Sequence, residues 1–206
     1  GRSSSHFTRV GRVFAAELAV PYRFEIIRDL LSTDASDYGD NPALKLPTLH
    51  TSSDIETDRR IWFGTLNICR ELARRSPAAK HVIWPEDLSS AVAGNAHEYV
   101  THAMATEVTL LMNRFAGGDP SSKHQEKLMT SLQQTMSWLE DNHESYMREL
   151  PRERDLSYLE VSLFCLVEHL EFREVLSTQP YSALRAFAEA FAKRESAKAT
   201  TYRIDT

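Results

Sequence analysis

An α/β first third followed by an all-helical remainder is the fold class that the 206-residue sequence predicts. Three observations predict it. β-favouring runs occur early, at Tyr22-Arg23-Phe24-Glu25-Ile26-Ile27, Thr48-Leu49-His50 and Asp54-Ile55. No strand pattern recurs from Glu86 onward, where apolar residues instead return at helical spacing. Between these halves the composition shifts at Ser76 to Pro85, which reads as a linker. The expected division is residues 1–75, linker 76–85, and an all-helical 86–206.

Residues 7–19 carry Phe7, Val10, Phe14 and Leu18 on one helical stripe, which opens after three serines and closes before Pro21. Tyr22 to Ile27 alternates in its first half and is rich in residues that fit a pleated surface, so a strand is expected. The Ser-, Asp- and Gly-rich stretch from Ser32 to Asn41 reads as a loop with at most a helical turn. Pro47 cannot donate to a ladder and disfavours the α region at Leu46, so it marks the start of a strand. The Leu46–Pro47 bond is also a place where the cis form can be held, which presents the backbone of Leu46 to one side. Two very short strands, Thr48-Leu49-His50 and Asp54-Ile55, are expected about Thr51-Ser52-Ser53. Helix is expected from near Thr57, with Ile61, Leu66 and Leu72 inward and Arg70, Arg74 and Arg75 at the negative end of its dipole. The Trp62-Phe63 pair reads as core or as a dimer contact.

In the second half, Glu86 to Phe115 and Ser122 to His143 are long helical segments joined by Gly117-Gly118-Asp119-Pro120. That joint lacks the Lys-Ser/Thr ending of a phosphate loop and reads as a helix–helix turn. Ser157 followed by Glu160 is a capping box, with Leu156 and Val161 as its staple. The body from Leu159 to Leu170 is apolar nearly all round, which implies an enclosed helix. A last helix is expected near Tyr181 to Lys193.

Composition excludes several classes. A net charge of −5 argues against a nucleic-acid surface, which needs clustered Lys and Arg. The longest apolar run, Val161 to Val167, is far short of a membrane span. No charged-then-apolar leader precedes Phe7, so no secretory signal is expected. Cys69 and Cys165 lie in helical apolar patterns and read as reduced core thiols of a cytoplasmic protein. The eight histidines show no zinc-type spacing, so no metal is expected.

The serine turn with its helix (Ser5-His6-Phe7-Thr8-Arg9-Val10), the proline stretch Asn41 to Leu49, the run Asp54-Ile55-Glu56-Thr57-Asp58, and the box-and-staple helix followed by Tyr181 to Phe187 together resemble the glutathione transferase family. The resemblance covers nearly the whole chain and implies a thioredoxin-like first domain and an all-α second one. In that family a Ser-Pro-Phe-type turn, a Lys-x-Pro turn and a Glu-Ser turn converge on glutathione. The family opens with a strand ahead of the serine turn, and only Gly1 to Ser4 precede Ser5, so the resemblance implies a truncated first strand. His6 stands at the usual Pro, Thr57 at the usual Ser, and Leu44 where Gly is frequent.

What the resemblance implies chemically is activation of a thiol. A free thiol with a pKa of about 8.5 is mostly protonated at neutral pH, and the thiolate is the nucleophile. A hydroxyl donor at a helix N-terminus stabilises that anion. Ser5 is the implied donor, with Ser4 as its rival; the plain alternative is that either serine only caps the helix. The resemblance gives Leu46 the backbone pairing with the cysteinyl unit beside Pro47, Glu56 the γ-glutamyl ammonium, Thr57 its carboxylate, and Lys45 the glycyl carboxylate. Capping of the next helix is the alternative for Glu56 and Thr57. A second-substrate pocket is expected between Ser5 and the helix starting at Glu86, with Asn95, Tyr99 and His102 as candidates from position. The implied activity is attack of the glutathione thiolate on a small, largely apolar electrophile, by a homodimer with no metal. A glutathione-dependent isomerase of the maleylacetoacetate type is a variant of this reading. The absence of Cys near position 5 argues against disulfide-reducing members. The rival is a non-catalytic transferase fold used for protein contacts.

Overall fold

Ser5 has extended backbone and its side chain accepts from the Thr8 amide, so the chain enters its first helix, α1 (His6–Glu17), through a side-chain cap. The computed structural model describes residues 1–51, 60–78 and 80–205. It divides into two units, Gly1–Lys80 with Arg194–Thr206, and His81–Lys193.

In the first unit, α1 buries Val10, Val13, Phe14 and Leu18. A short 3₁₀ turn, Ala35–Tyr38, precedes the two-stranded antiparallel sheet of β1 (Thr48–Thr51) and β2 (Arg60–Phe63), in which Thr48 faces Phe63 and Thr51 faces Arg60. Helix α2 (Thr65–Arg75) packs on α1 and buries Ile68, Cys69 and Leu72. Of the helix expected from near Thr57, residues 60–63 are therefore strand, Ile61 among them, and helix is described from Thr65. Trp62 donates its indole N–H to Thr51 Oγ1 at 3.3 Å, and the Arg74 guanidinium lies 5.1 Å from its ring. Glu71 is gripped by Arg74 and Arg75 at 2.8 and 2.6 Å. Burial pushes its pKa up, but these two arginines outweigh burial and hold it below the usual carboxylate range. The Asp54-Ile55 strand expectation lies outside the described residues.

Tyr22 to Ile27 is not a laddered strand. The Gly1 amine donates to Glu25 O, and Ile27 N donates to Gly1 O, both at 2.9 Å. Among the described residues no strand pairs with it, and most of its side chains stay exposed. Alternation describes a half-buried face, and here the face is not covered.

Residues 194–205 belong to the first unit and run antiparallel along α1. Arg194 forks onto Glu17 at 2.7 and 2.8 Å, and Ser196 bonds the same carboxylate. A one-turn helix, here counted last as α8 (Glu195–Lys198), follows, and Ala197 O accepts from Arg9. Tyr202 lies under the Arg9 guanidinium at 4.2 Å, and Asp205 Oδ2 accepts from Ser3 N at 2.7 Å.

In the second unit, β3 (Val82–Ile83) and β4 (Leu156–Ser157) form a minimal parallel pair, a ladder that periodicity over two residues does not announce. Helix α3 (Ala91–Phe115) starts at the Ser90 cap, after a 3₁₀ turn at Pro85–Asp87. Helix α4 (Lys123–Asp141) starts at Ser122. The expected helix through His143 is interrupted at Asn142, whose side chain bonds Trp138 O, and α5 (His143–Glu149) follows. Helix α6 (Tyr158–Phe172) is buried on nearly every face and packs against α3 and against α7 (Ser182–Phe191). Glu107 of α3 and His169 of α6 meet in this core at 2.8 Å. Half of the expected capping box forms: Ser157 Oγ accepts from Glu160 N at 3.5 Å. The Glu160 carboxylate instead takes a two-pronged bond from Arg154, at 2.6 Å on each oxygen, a stronger partner than a neutral amide.

Candidate functional site

Ser5 is half-buried at the N-terminus of α1, with its Oγ accepting from Thr8 N at 3.2 Å. Capping uses an oxygen lone pair and leaves the hydroxyl proton, which no described residue accepts. Capping and thiolate donation are therefore compatible in one side chain. Ser4 is also half-buried, whereas Ser3 is buried and its amide is bound to Asp205. His6 is fully buried with its ring edge-on to Phe7 at 4.6 Å.

The second piece is the loop before β1. The Leu46–Pro47 peptide is cis. Asn41, which is buried, organises the loop: its Nδ2 donates to Lys45 O at 2.6 Å, its Oδ1 accepts from Ala43 N at 3.0 Å, and its own carbonyl accepts from Leu44 N at 3.0 Å. Leu44 adopts a left-handed conformation at φ 52° within this turn. Sequence reasoning passed over Asn41, although an Asn-Pro dipeptide is a turn signal that pointed to it. Lys45 is exposed, Leu46 half-buried and Pro47 buried. The β1 ladder begins at Thr48, so it does not engage Leu46, and no described residue bonds the Leu46 N–H or C=O.

Glu56 and Thr57 lie outside the described residues. Asn95, Tyr99 and His102 lie on α3 and are exposed. Tyr99 packs edge-on against Trp138 at 4.7 Å, and His102 Nε2 is 3.5 Å from Ser131 Oγ, both contacts with α4. A cleft of about 1060 Å³ in the first unit runs between α1, the extended 20–29 segment and β1. Pro47 and Thr48 line it, whereas Ser5, Lys45 and Leu46 do not.

No protein-family model matches the sequence, and no curated protein sequence matches it. Solved structures do match over nearly its full length. One is a glutathione transferase from Methylobacillus flagellatus KT with glutathione bound, at TM-score 0.70 and 19% identity, covering 98% of each chain. The chain has the glutathione transferase fold. A glutathione transferase family member from Pseudomonas fluorescens Pf-5, with bound glutathione, matches at TM-score 0.74 and 16% identity over 99% of this chain and 98% of that one. A maleylacetoacetate isomerase from Anaeromyxobacter dehalogenans 2CP-1, with glutathione in its active site, matches at TM-score 0.67 and 18% identity over 98% and 92%. The glutathione transferase fold accounts for the order seen here, a thioredoxin-like unit followed by a helical one. Among the described residues no helix is long and apolar enough to cross a membrane.

Proposed function

We propose that the protein is a glutathione transferase that binds glutathione along the Ser5 turn and the cis Leu46–Pro47 loop and activates its thiol. The observation that carries this reading is the Leu46 backbone. Ahead of Pro47 it keeps its N–H and C=O out of the β1 ladder, which suits pairing with a peptide-like ligand. Similarity to glutathione-bound structures over 98% or more of this chain supports it.

In this reading the Ser5 hydroxyl donates to the glutathione sulfur at the positive end of the α1 dipole, so the proton leaves to solvent and the thiolate remains. The thiolate attacks an electrophilic carbon of a small, largely apolar substrate. Lys45 meets the glycyl carboxylate, Glu56 the γ-glutamyl ammonium and Thr57 the adjacent carboxylate, complementary charges that fix the ligand's direction. Asn95, Tyr99 and His102 are the candidates for contact with the second substrate. Homodimeric assembly rests on the resemblance, and a cytoplasmic location on Cys69 and Cys165, both buried free thiols. A glutathione-dependent isomerase is a second reading, favoured by the likeness to the Anaeromyxobacter isomerase.

The test is calorimetric titration of the protein with glutathione, alongside Glu56→Ala, with thiolate absorbance followed against pH in Ser5→Ala and Ser5→Gly. Gly is tolerated at a helix cap at a cost of a few tenths of a kcal/mol, so it removes the donor without unseating α1. Saturable binding lost in Glu56→Ala, a bound thiol titrating below about 7.5, and loss of that shift in both Ser5 variants are expected. Conjugation should fall on the order of 10²-fold in the Ser5 variants. Failure of the unsubstituted protein to bind glutathione would overturn the reading in favour of a protein-contact role.

A further inference from the structure

We infer that Asp205 is a positioning residue for the serine turn, acting through the hydrogen bond that its carboxylate accepts from the Ser3 amide; this rests on the reading of Ser5 as the thiolate donor. Arg2 to Ser5 form a turn closed by Ser5 N donating to Arg2 O at 3.2 Å, and Ser3 N is satisfied instead by Asp205 Oδ2 at 2.7 Å. That length is typical of an amide bonded to an ionised acceptor. The Asp205 side chain is only 2% exposed. Burial pushes its pKa up, but the Ser3 amide, with Arg2 and Arg203 nearby, outweighs burial and keeps it ionised below the usual range.

Asp205 is delivered to the turn by an anchored segment. Arg194 and Ser196 hold the far end of α1 at Glu17, and Arg9 holds Ala197 and Tyr202 midway. The Ser3 bond is therefore the last of a series along α1, two residues from the Ser5 oxygen. A displacement of about 1 Å at a reacting group costs on the order of 10²-fold, so slack in this turn is consequential. A carboxylate beside a forming thiolate disfavours it by charge, so whatever Asp205 contributes comes from the bond and not from its charge.

Three variants separate bond from charge. Asp205→Ala removes the acceptor, Asp205→Asn keeps an acceptor without charge, and Asp205→Glu keeps the charge but carries the carboxyl one methylene further. The first readout is amide hydrogen exchange at Ser3 to Thr8 in unliganded protein, with α6 amides as reference. Asp205→Ala and Asp205→Glu should exchange about tenfold faster there, with Asp205→Asn restoring protection. The second is the thiol titration of bound glutathione, which should rise by about one pKa unit in the Ala and Glu variants, toward Ser5→Ala, and recover in Asn. Unchanged exchange in Asp205→Ala, or an unshifted thiol with exchange increased, overturns the assignment. Should Asp205→Ala not fold, the Asn and Glu pair decides: Glu retaining function while Asn loses it overturns it. Should the unsubstituted protein fail to bind glutathione, the transferase reading falls, and the exchange result alone decides whether Asp205 holds the turn.

Discussion

Asn41 commits both ends of its amide to the loop ahead of Pro47, and the alternative for the groups it holds is water at a half-buried site. Asn41→Ala is expected to destabilise by about 1–2 kcal/mol in urea unfolding and to weaken glutathione binding several-fold, because Lys45 and Leu46 lose their common anchor. Gly39 is at φ +63°, and a Cβ there would meet His50 Nε2 at 2.9 Å and Thr48 Cγ2 at 3.4 Å. Gly39→Ala should cost about 1–2 kcal/mol by the same measurement, the strain of a left-handed non-glycine residue plus the shift forced on β1. Ser5 was legible because a hydroxyl before an apolar helical stripe has few roles, and the structure supports the cap that sequence offered as the plain alternative. Asp205 was not legible, since its partner lies 202 positions away and no local pattern links them.

Helix α6 was the most readable element, with a cap at its start and apolar residues on every face. Phe164, fully buried and stacked on Phe191 at 4.6 Å, makes the point testable. Phe164→Ala should cost about 3–5 kcal/mol, read as a lowered denaturation midpoint with far-UV circular dichroism retained below it. The misread elements share a cause. Tyr22 to Ile27 alternates as a strand would, yet a ladder is a property of two segments, and sequence describes one. The spacing of Ile61, Leu66 and Leu72 suggests a helix from near Thr57, but Arg60 to Phe63 pair with Thr48 to Thr51, so cross-strand contact overrides local periodicity. Helix α8 has four residues, too few to persist without the contacts that Arg194 and Ser196 make with Glu17.

Across the molecule, titratable groups set one direction of pH dependence. His97 and His143 have pKa values lowered from 6.5, chiefly by burial. Their stabilising contribution is present above that value and is lost as pH falls through the lower folded value. Glu17, Glu71, Glu171 and Asp205 are held below the usual carboxylate range by hydrogen bonds and cations that outweigh the burial of most of them. Their contribution is present above about 4.5 and lost as acid protonates them. The melting temperature should be level near pH 7, fall modestly below about 6.5 and fall steeply below about 4.5. His143→Gln should flatten the first decline and leave the second, as followed by calorimetry across pH. The path of residues 194–205 along α1 bears on synthesis as well. Glu17 and Ser3 meet partners made 177 and 202 residues later, whereas the whole of His81–Lys193 leaves the ribosome before them. The first unit is therefore completed only after the helical unit has been made, and the helical unit is free to fold ahead of it.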